Sequence, residues 1–362
     1  MYAFLLEDSA WEALVQANRA ARYLRMPCCA ASVVLKKSSL GTRFFAHKSA
    51  NQCTTTPESR EHLFAKDLIA RAATHAGWTA VTECRDSSVP TAWIADVLCS
   101  RPGRASRVAF EVQLARQSSE ATQRRQSLYA GADIRSLWLM HQKDFAVSKQ
   151  VPAFRLVFSN DARSAEVWLP GQRYYGSITA RMRITEADWG QRVELGQFVR
   201  GVLTGALRFD PLVGATIPVS VAFADTLCFK CHRDIRILTS FRANADAVLP
   251  GLGSFHFGLE ELDTGSANAS EWIAENLPPD RLAPYRVGPI ERRYSRTLGE
   301  RYLSNGCVHC GVLQGRLFAH EALDFEPLLL DAKIQFTSTL LEHCDDARGM
   351  RRWWFDASDA QA

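Results

Sequence analysis

The sequence lacks any uninterrupted apolar run of about 18 residues, the length that a membrane-spanning helix needs. Its first residues, MYAFLLEDSAWEAL, are acidic, and they lack the basic segment and apolar core that mark a secretory signal. Both absences argue against a membrane or exported protein. We therefore expect a cytoplasmic protein with no membrane partner.

A strong net charge is missing as well. The formal charge is +4 and the pI is near 8.5, which does not by itself indicate nucleic acid as a partner. One local basic stretch (Arg173, Arg181, Arg183 and Arg192) fits either nucleic-acid contacts or a solvated face, and we favour the solvated face. A hydrophobic content of 47% is ordinary for a folded protein, and 362 residues exceed one typical core, so we expect two or three domains.

The most informative stretch runs from Trp93 to Tyr129 and predicts a strand, a turn, a second strand and a helix. The first strand carries Asp96, and the second carries Glu111 and Gln113. Because side chains alternate along a strand, Glu111 and Gln113 share a face, which Asp96 joins if the two strands form a hairpin. Carboxylates inside apolar strands are costly unless something compensates them, and such oxygen ligands suit Mg²⁺ or Mn²⁺. Two exposed strands at a sheet edge would explain the pattern equally well.

Several short motifs surround this hairpin in a characteristic order: FFAH (44–47), ESREHLFAK (58–66), ADV (95–97), FEVQ (110–113), Arg125 and Tyr129, and LWLM (137–140). Over roughly residues 40–142 the chain resembles the CoiA-like competence family, which has a restriction-endonuclease-like nuclease core of the PD-(D/E)XK type. The resemblance implies an α/β fold with a mixed sheet flanked by helices. The expected domains are a small N-terminal β unit (1–55), the nuclease domain (56–145) and a C-terminal α+β region with a zinc site (146–362).

The resemblance also implies a metal-dependent active site. Asp96, Glu111 and the carbonyl of Val112 would bind Mg²⁺ or Mn²⁺. Many such nucleases carry a lysine where this chain has Gln113, whose amide can orient water or phosphate but cannot supply a positive charge. The family often has a serine two residues further on, and here that position is Ala115.

Two helices are expected to complete the site. The first, from about residue 58 to residue 76, places Glu58, His62 and Lys66 on one face, where Glu58 would join the metal site or support it. Simple solvation of that face is the alternative. The second, after the hairpin, carries Arg125 and Tyr129 one turn apart, and they would orient a carboxylate or hold a phosphate. Packing of Tyr129 under the sheet, with Arg125 at its rim, is the other possibility.

The composition changes after about residue 142. Residues 154–158 and 166–169 predict strands around a turn, and residues 186–207 predict a helix.

Four of the ten cysteines form two C-x-x-C pairs, Cys228–Cys231 and Cys307–Cys310. Four thiolates can hold Zn²⁺ in a closed structural site. Three histidines are substitute ligands if one cysteine points away: His232, His309 and His320. Free buried thiols and redox motifs are the other interpretations, but no thioredoxin-like strand–helix context surrounds either pair.

A further cysteine group lies near the N-terminus. Cys28 and Cys29 are adjacent, and the nearest other cysteine is Cys53. Relatives often have a metal-binding C-x-x-C near this position, but this chain has none, so buried structural cysteines are the better interpretation.

These observations favour a Mg²⁺-dependent deoxyribonuclease that hydrolyses phosphodiester bonds in DNA, whether single- or double-stranded. The resemblance suggests DNA uptake, recombination or mobile-element defence, with recombination or competence proteins as partners. Because Gln113 replaces a lysine, the alternative is a non-catalytic, zinc-stabilised DNA-binding or interaction module on a decayed nuclease fold.

Overall fold

The computed structural model describes residue 3 and residues 6–26, 29–48, 58–85, 93–315 and 326–356. The chain divides into two compact units. The first contains residues 1–209 and 352–362, and the second contains Asp210–Arg351. No helix among the described residues combines the length and the apolar character that crossing a membrane requires.

A helix and a hairpin come first in the chain. Helix α1 spans Asp8–Ala21, and strand β1 (Val33–Lys37) pairs antiparallel with β2 (Arg43–His47). The side-chain amide of Asn18 donates to the carbonyl of Val33 at 3.0 Å, which ties the helix to the hairpin. The predicted small β unit thus includes a helix as well.

A seven-stranded mixed sheet organises the first unit, with its strands side by side in chain order. The pairings are antiparallel except for the two parallel pairs that the sixth strand of the chain makes with its neighbours. The strands are β3 (Thr79–Arg85), β4 (Ile94–Ser100), β5 (Arg107–Gln113), β6 (Arg135–Met140), β7 (Ala153–Phe158), β8 (Ala165–Pro170) and β9 (Trp189–Glu194). A mixed sheet flanked by helices confirms the predicted α/β class.

Both faces of this sheet are covered, and the central strands are accordingly apolar on both sides. On β5, Val108, Phe110 and Val112 enter one core cluster, whereas Ala109 enters the other. Because side chains alternate, Glu111 lies on the face of Ala109. A carboxylate therefore occupies a core position.

Four helices follow the N-terminal one in the first unit. Side chains cap two of them at the N-terminus: Ser59 accepts the N–H of His62, and Ser118 accepts the N–H of Ala121. The helices are α2 (Arg60–His75), α3 (Ser119–Gly131), α4 (Gln172–Thr179) and α5 (Leu195–Thr204). Buried residues of α2 and α5 line one face of the sheet, and Tyr129 of α3 and Tyr174 of α4 line the other.

The helix predicted over residues 186–207 is wrong in its first half. A 3₁₀ turn (Glu186–Asp188) and strand β9 precede α5, and Glu194 caps α5 by accepting the N–H of Gln197 at 2.7 Å. Gly190 allows the strand, because its position lies against Gly171 and a Cβ there would be 3.3 Å from the Gly171 Cα. Tertiary packing thus overrides the helical pattern.

The sheet also runs past the domain end predicted at residue 145. Strands β7, β8 and β9 extend it to Glu194 because β7 pairs parallel with β6 and the next two strands add by antiparallel pairing. The composition change near residue 142 marks a loop within one sheet.

The second unit contains two antiparallel sheets with the cysteine pairs at their turns. One has the order β13-β12-β11-β17 and the other the order β14-β15-β16. The bounds in chain order are β10 (Leu207–Phe209, which belongs to the first unit), β11 (Thr216–Leu227), β12 (Asp234–Asn244), β13 (Ser254–Phe257), β14 (Ile290–Ser295), β15 (Glu300–Gly306), β16 (Leu313–Gln314) and β17 (Glu326–Gln335). Its helices are α6 (Leu259–Gly265), α7 (Ala269–Asn276), α8 (Pro279–Leu282) and α9 (Ser338–His343).

The C-terminal aromatic segment returns to the first unit. Strand β18 (Trp353–Phe355) pairs antiparallel with β10, and Phe355 stacks on Phe198 of α5 with ring centroids 5.8 Å apart. Phe355 is 1% exposed, so it completes the core on the α2–α5 face.

We expect Phe355→Ala to lower the free energy of unfolding by about 3–5 kcal/mol, because it removes a fully buried ring and leaves a cavity. Met182→Ala, at a residue that is 62% exposed in the same unit, is the matched control and should change stability little. Urea denaturation measures both. Equal, small effects would mean that the terminal strand does not dock as described.

Candidate active site and metal centre

The candidate active site lies where β4 and β5 separate. Their antiparallel register ends at the pair Val97–Phe110, and one further step would oppose Asp96 and Glu111. Instead, Asp96 Oδ2 accepts the backbone N–H of Val112 at 2.7 Å. Since the N–H and C=O of one strand residue point to the same side, the Val112 carbonyl faces this gap too.

Glu111 is buried on the α3 side of the sheet, with its side chain 1% exposed. Its Oε2 accepts from Arg125 Nη2 at 2.5 Å, and its Oε1 contacts the Tyr129 hydroxyl. Burial raises the pKa of Glu111 to about 8, with a further contribution from the charge of Asp96, and the opposing effects of Arg125 and Tyr129 are smaller.

The Tyr129 hydroxyl lies between two oxygens, Glu111 Oε1 and the Ile94 carbonyl oxygen, the latter 2.9 Å away. A phenol has a single proton, so it can donate to only one of them. Donation from the hydroxyl to Oε1 fits an ionised Glu111, whereas donation to the Ile94 carbonyl fits a protonated Glu111, the form that the raised pKa of Glu111 favours.

Arg125 is fixed by a second contact besides its ion pair. Its guanidinium lies over the ring of Trp138, 4.9 Å from the centroid, and its side chain remains 36% exposed. The cation–π contact holds the guanidinium beside Glu111 while leaving it partly accessible to a ligand. The predicted roles of Arg125 and Tyr129 in orienting a carboxylate or holding phosphate stay predictions.

A second group of charged residues reaches the same gap from α2. Glu58 Oε1 contacts His62 Nδ1 at 2.7 Å and accepts from Lys66 Nζ at 2.6 Å. Lys66 Nζ also pairs with Glu83 Oε1 at 2.5 Å. His62 Nε2 lies 3.5 Å from Asp96 Oδ2, but the atoms are not aligned as a hydrogen bond, and Nε2 is a buried atom without a hydrogen-bond partner.

These contacts set the charges of the group. Burial opposes ionisation of Glu58, but His62 and Lys66 outweigh it and lower its pKa to about 2. Burial likewise opposes the charge on His62, but Asp96 and Glu58 outweigh it and raise the pKa of His62 to about 9. Near neutral pH, Glu58 is therefore an anion and His62 a cation.

Sequence reasoning gave Lys66 no role and missed Glu83. Lys66 is 4% exposed, and its spacing four residues after His62 was the available signal. Glu83 has φ +52° inside β3, in the left-handed region that few non-glycine residues adopt. No sequence pattern predicts that conformation, which accompanies a break in the β3–β4 register opposite Asp96.

Gln113 lies at the end of β5, two residues after Glu111. Its Nε2 donates to the carbonyl of Ala115 at 3.1 Å, two residues along the chain. The amide is thus satisfied locally at the end of β5.

The gap offers oxygen atoms of the kind that Mg²⁺ prefers: the carboxylates of Asp96 and Glu111 and the carbonyl of Val112. The donor set fits such an ion in kind, but the Glu111 carboxyl must lose a proton before it can be a ligand. Among the described residues, the four C-x-x-C cysteines form the one set of three or more histidine, cysteine or acidic side chains close enough together to share an ion.

The four cysteines Cys228, Cys231, Cys307 and Cys310 have their Sγ atoms within 4.8 Å of one another. Cys228 Sγ is 3.7 Å from Cys310 Sγ, and Cys231 Sγ is 3.7 Å from Cys307 Sγ. Tetrahedral Zn²⁺ with bonds of about 2.3 Å separates its sulfur ligands by about 3.8 Å. The cluster is thus close enough to hold a metal ion such as zinc.

The two pairs have the same local structure, at the β11–β12 and β15–β16 turns. In each, the residue after the second cysteine adopts a left-handed conformation, with φ +56° at His232 and +69° at Gly311. The N–H of each donates to the carbonyl of the first cysteine of its pair, at 2.8 and 2.9 Å. Backbone N–H and amide donors reach the sulfurs, including His309 N to Cys307 and Gln314 Nε2 to Cys228. Such donors orient thiolate ligands.

Among the described residues, no other candidate ligand joins the four cysteines. The ring Nε2 of His309 is 3.1 Å from the carbonyl oxygen of Asp234, and His320 lies outside the described residues. Cys29 is half-buried, and Cys28 and Cys53 lie outside the described residues.

Residues 58–177, about one third of the chain, match the family described as competence protein CoiA, nuclease-like domain. This stretch is similar to the CoiA nuclease-like domain. The match confirms the resemblance seen in the sequence. Its residue range includes both groups of charged residues around the β4–β5 gap, one built on Asp96 and Glu111 and the other on Glu58 and His62. It extends past residue 145 through β7 and β8 to α4. No curated protein and no solved structure matched the chain.

In the CoiA nuclease-like domain, we expect His62→Gln to lower stability more below pH 6.5 than above pH 9. The folded-state pKa of His62 is raised to about 9, so its stabilising charge is fully present below 6.5 and lost as pH rises through 9. Unfolding free energies at several pH values, without added divalent cations, measure this. His75→Gln, at an exposed residue of the same helix, is the control, and a pH-independent cost at His62 would contradict the expectation.

At the cysteine cluster, we expect about one tightly held metal ion per chain, lost in Cys228→Ser because three thiolates no longer close the site. Cys344→Ser is the matched control, since Cys344 is a buried cysteine of the same unit outside the cluster. Elemental analysis of the purified variants reports the metal content. Equal metal content in both variants would rule out this cluster as the site.

Proposed function

We propose that this chain is a Mg²⁺-dependent deoxyribonuclease that hydrolyses phosphodiester bonds. The observation that carries the proposal is the meeting of Asp96, Glu111 and the Val112 backbone at the separation of β4 and β5, inside a CoiA nuclease-like domain. A restriction-endonuclease-like architecture belongs to the same proposal. It is supported by the mixed sheet, with α2 on one face and α3 on the other.

Each residue of the site has a proposed part. Asp96, Glu111 and the Val112 carbonyl would hold Mg²⁺ or Mn²⁺, and such an ion would polarise the scissile phosphate and lower the pKa of an attacking water. Arg125 stays beside Glu111 and donates to a phosphate oxygen from its exposed edge. The cationic His62, held by Glu58, places a positive charge 3.5 Å from Asp96 Oδ2.

The cysteine cluster is proposed to hold Zn²⁺ and to act as a scaffold or as a grip on nucleic acid. Its four sulfur donors and the hydrogen bonds to them support zinc rather than a hard cation. Handling of incoming DNA, recombination or mobile-element defence, with competence or recombination proteins as partners, remains the proposed setting.

A second candidate is a non-catalytic, zinc-stabilised DNA-binding module. The observation that favours it is Gln113, which replaces the usual lysine and binds the Ala115 carbonyl. The raised pKa of Glu111 points the same way, since a neutral carboxyl is a poor metal ligand near pH 7.

Cleavage of single- and double-stranded DNA with Mg²⁺ or Mn²⁺ separates the two candidates. We expect Asp96→Ala and Glu111→Ala each to lower the rate by at least about 100-fold, because a metal ligand stabilises the transition state by several kcal/mol. Asp144→Ala is the control, since that carboxylate is exposed and pairs with Arg116. If neither wild type nor Gln113→Lys cleaves while wild type binds DNA, the second candidate is correct.

A further inference from the structure

A row of cationic and aromatic side chains crosses the sheet from the candidate active site. The strand registers align Gln113 with Met140, Met140 with Arg155, Arg155 with Trp168 and Trp168 with Arg192. Residues opposite one another in neighbouring strands point to the same face, which here is the face of Glu111 and α3. Two strand spacings, about 10 Å, separate Gln113 from Arg155.

One indole holds two guanidiniums in this row. The Cζ of Arg192 lies 4.0 Å from the Trp168 ring centroid, and that of Arg155 lies 4.7 Å from it. Arg155 also lies over the ring of Trp189, at 5.5 Å. Cation–π contacts attract each arginine to a ring, but they satisfy none of its N–H donors.

The carboxylates nearby are already engaged. Glu186 pairs with Arg192 at 2.7 Å, and Glu166 accepts from Trp168 Nε1 at 2.9 Å. Arg155 has no carboxylate within ion-pair distance among the described residues. Its Nε is buried without an acceptor, and so is Nε1 of Trp189 beneath it.

Buried donors without acceptors are rare in folded proteins and call for a ligand or a water. The guanidinium fork matches the oxygens of a phosphate, and Arg192 is exposed enough to share the same anion. Arg155 is half-buried against two indoles, and aromatic side chains interleaved with cationic ones are typical of surfaces that bind single strands. Three more exposed arginines of the stretch favoured above as a solvated face lie close in sequence: Arg173, Arg181 and Arg183.

We propose that Arg155 and Arg192, held by Trp168, bind a backbone phosphate of single-stranded DNA as the strand passes toward the β4–β5 gap. The proposal rests on DNA as the ligand of the proposed function, but it does not require cleavage. The basic stretch from Arg173 to Arg192, which we favoured above as a solvated face, is then part of the path of the single-stranded DNA.

The test is the salt dependence of binding of a fluorescently labelled oligothymidine, measured by anisotropy in an Asp96→Ala background so that no cleavage intervenes. Each phosphate contact contributes about 0.7 to the slope of log affinity against log salt for single strands. We expect Arg155→Gln and Arg192→Gln each to weaken binding and to lower this slope, and the double variant to lower it by about 0.7 in all, because both arginines contact one phosphate. Arg163→Gln is the matched control, since Arg163 is exposed in the adjacent β7–β8 turn and should leave the slope unchanged.

Arg192→Gln keeps the proposal testable if Arg155→Gln fails to fold, since Arg192 is the more exposed of the pair. The proposal is overturned by slopes equal to the parent in both variants, by an equal loss on duplex DNA, or by no binding of the oligonucleotide at all. Inorganic phosphate that displaces the oligonucleotide only through these arginines would identify a free phosphate as the ligand instead. If the wild type never cleaves DNA and both arginine variants nevertheless lose binding to the oligonucleotide, the phosphate site is supported and the proposed nuclease activity is not.

Discussion

The hydrogen bond from the Val112 N–H to Asp96 is the constraint on which the site depends. It replaces the next step of the β4–β5 ladder, so the strands part without leaving a buried N–H unsatisfied. The parting brings a carboxylate from each strand and one carbonyl to the same gap. Each of the two strands stays paired on its other side, β4 with β3 except opposite Asp96, and β5 with β6.

Two glutamates of this domain show how strongly position determines charge. Glu58 accepts from a lysine and contacts a histidine, and its pKa falls to about 2. Glu111 has an arginine and a tyrosine beside it, yet its nearly complete burial raises its pKa to about 8. Desolvation outweighs one ion pair in the second case, whereas two cations outweigh it in the first. Carboxyl groups whose pKa values differ in this way can serve different chemical tasks.

Much of the site could be predicted because its signals are local. Alternation and a Pro-Gly turn identified the β4–β5 hairpin, helical spacing grouped Glu58 with His62, and two C-x-x-C pairs identified the cysteine cluster. What failed depends on contacts distant in sequence. The strand at 189–194 forms because it pairs with β8, and the sheet passes residue 145 through parallel pairing with β6. The left-handed Glu83 and the local hydrogen bond of Gln113 likewise follow from the folded backbone, which residue types alone do not specify.

Titration calorimetry with Mn²⁺, on protein whose cysteine cluster is already loaded, tests most directly whether Asp96 and Glu111 form a cation site. We expect binding to wild type that disappears in both Asp96→Ala and Glu111→Ala. We also expect release of a proton at pH 7, seen as heats that vary with the ionisation enthalpy of the buffer, because Glu111 must ionise to bind. Wild-type binding that both variants retain, or no binding at all, would contradict the account and leave the two carboxylates as structural groups.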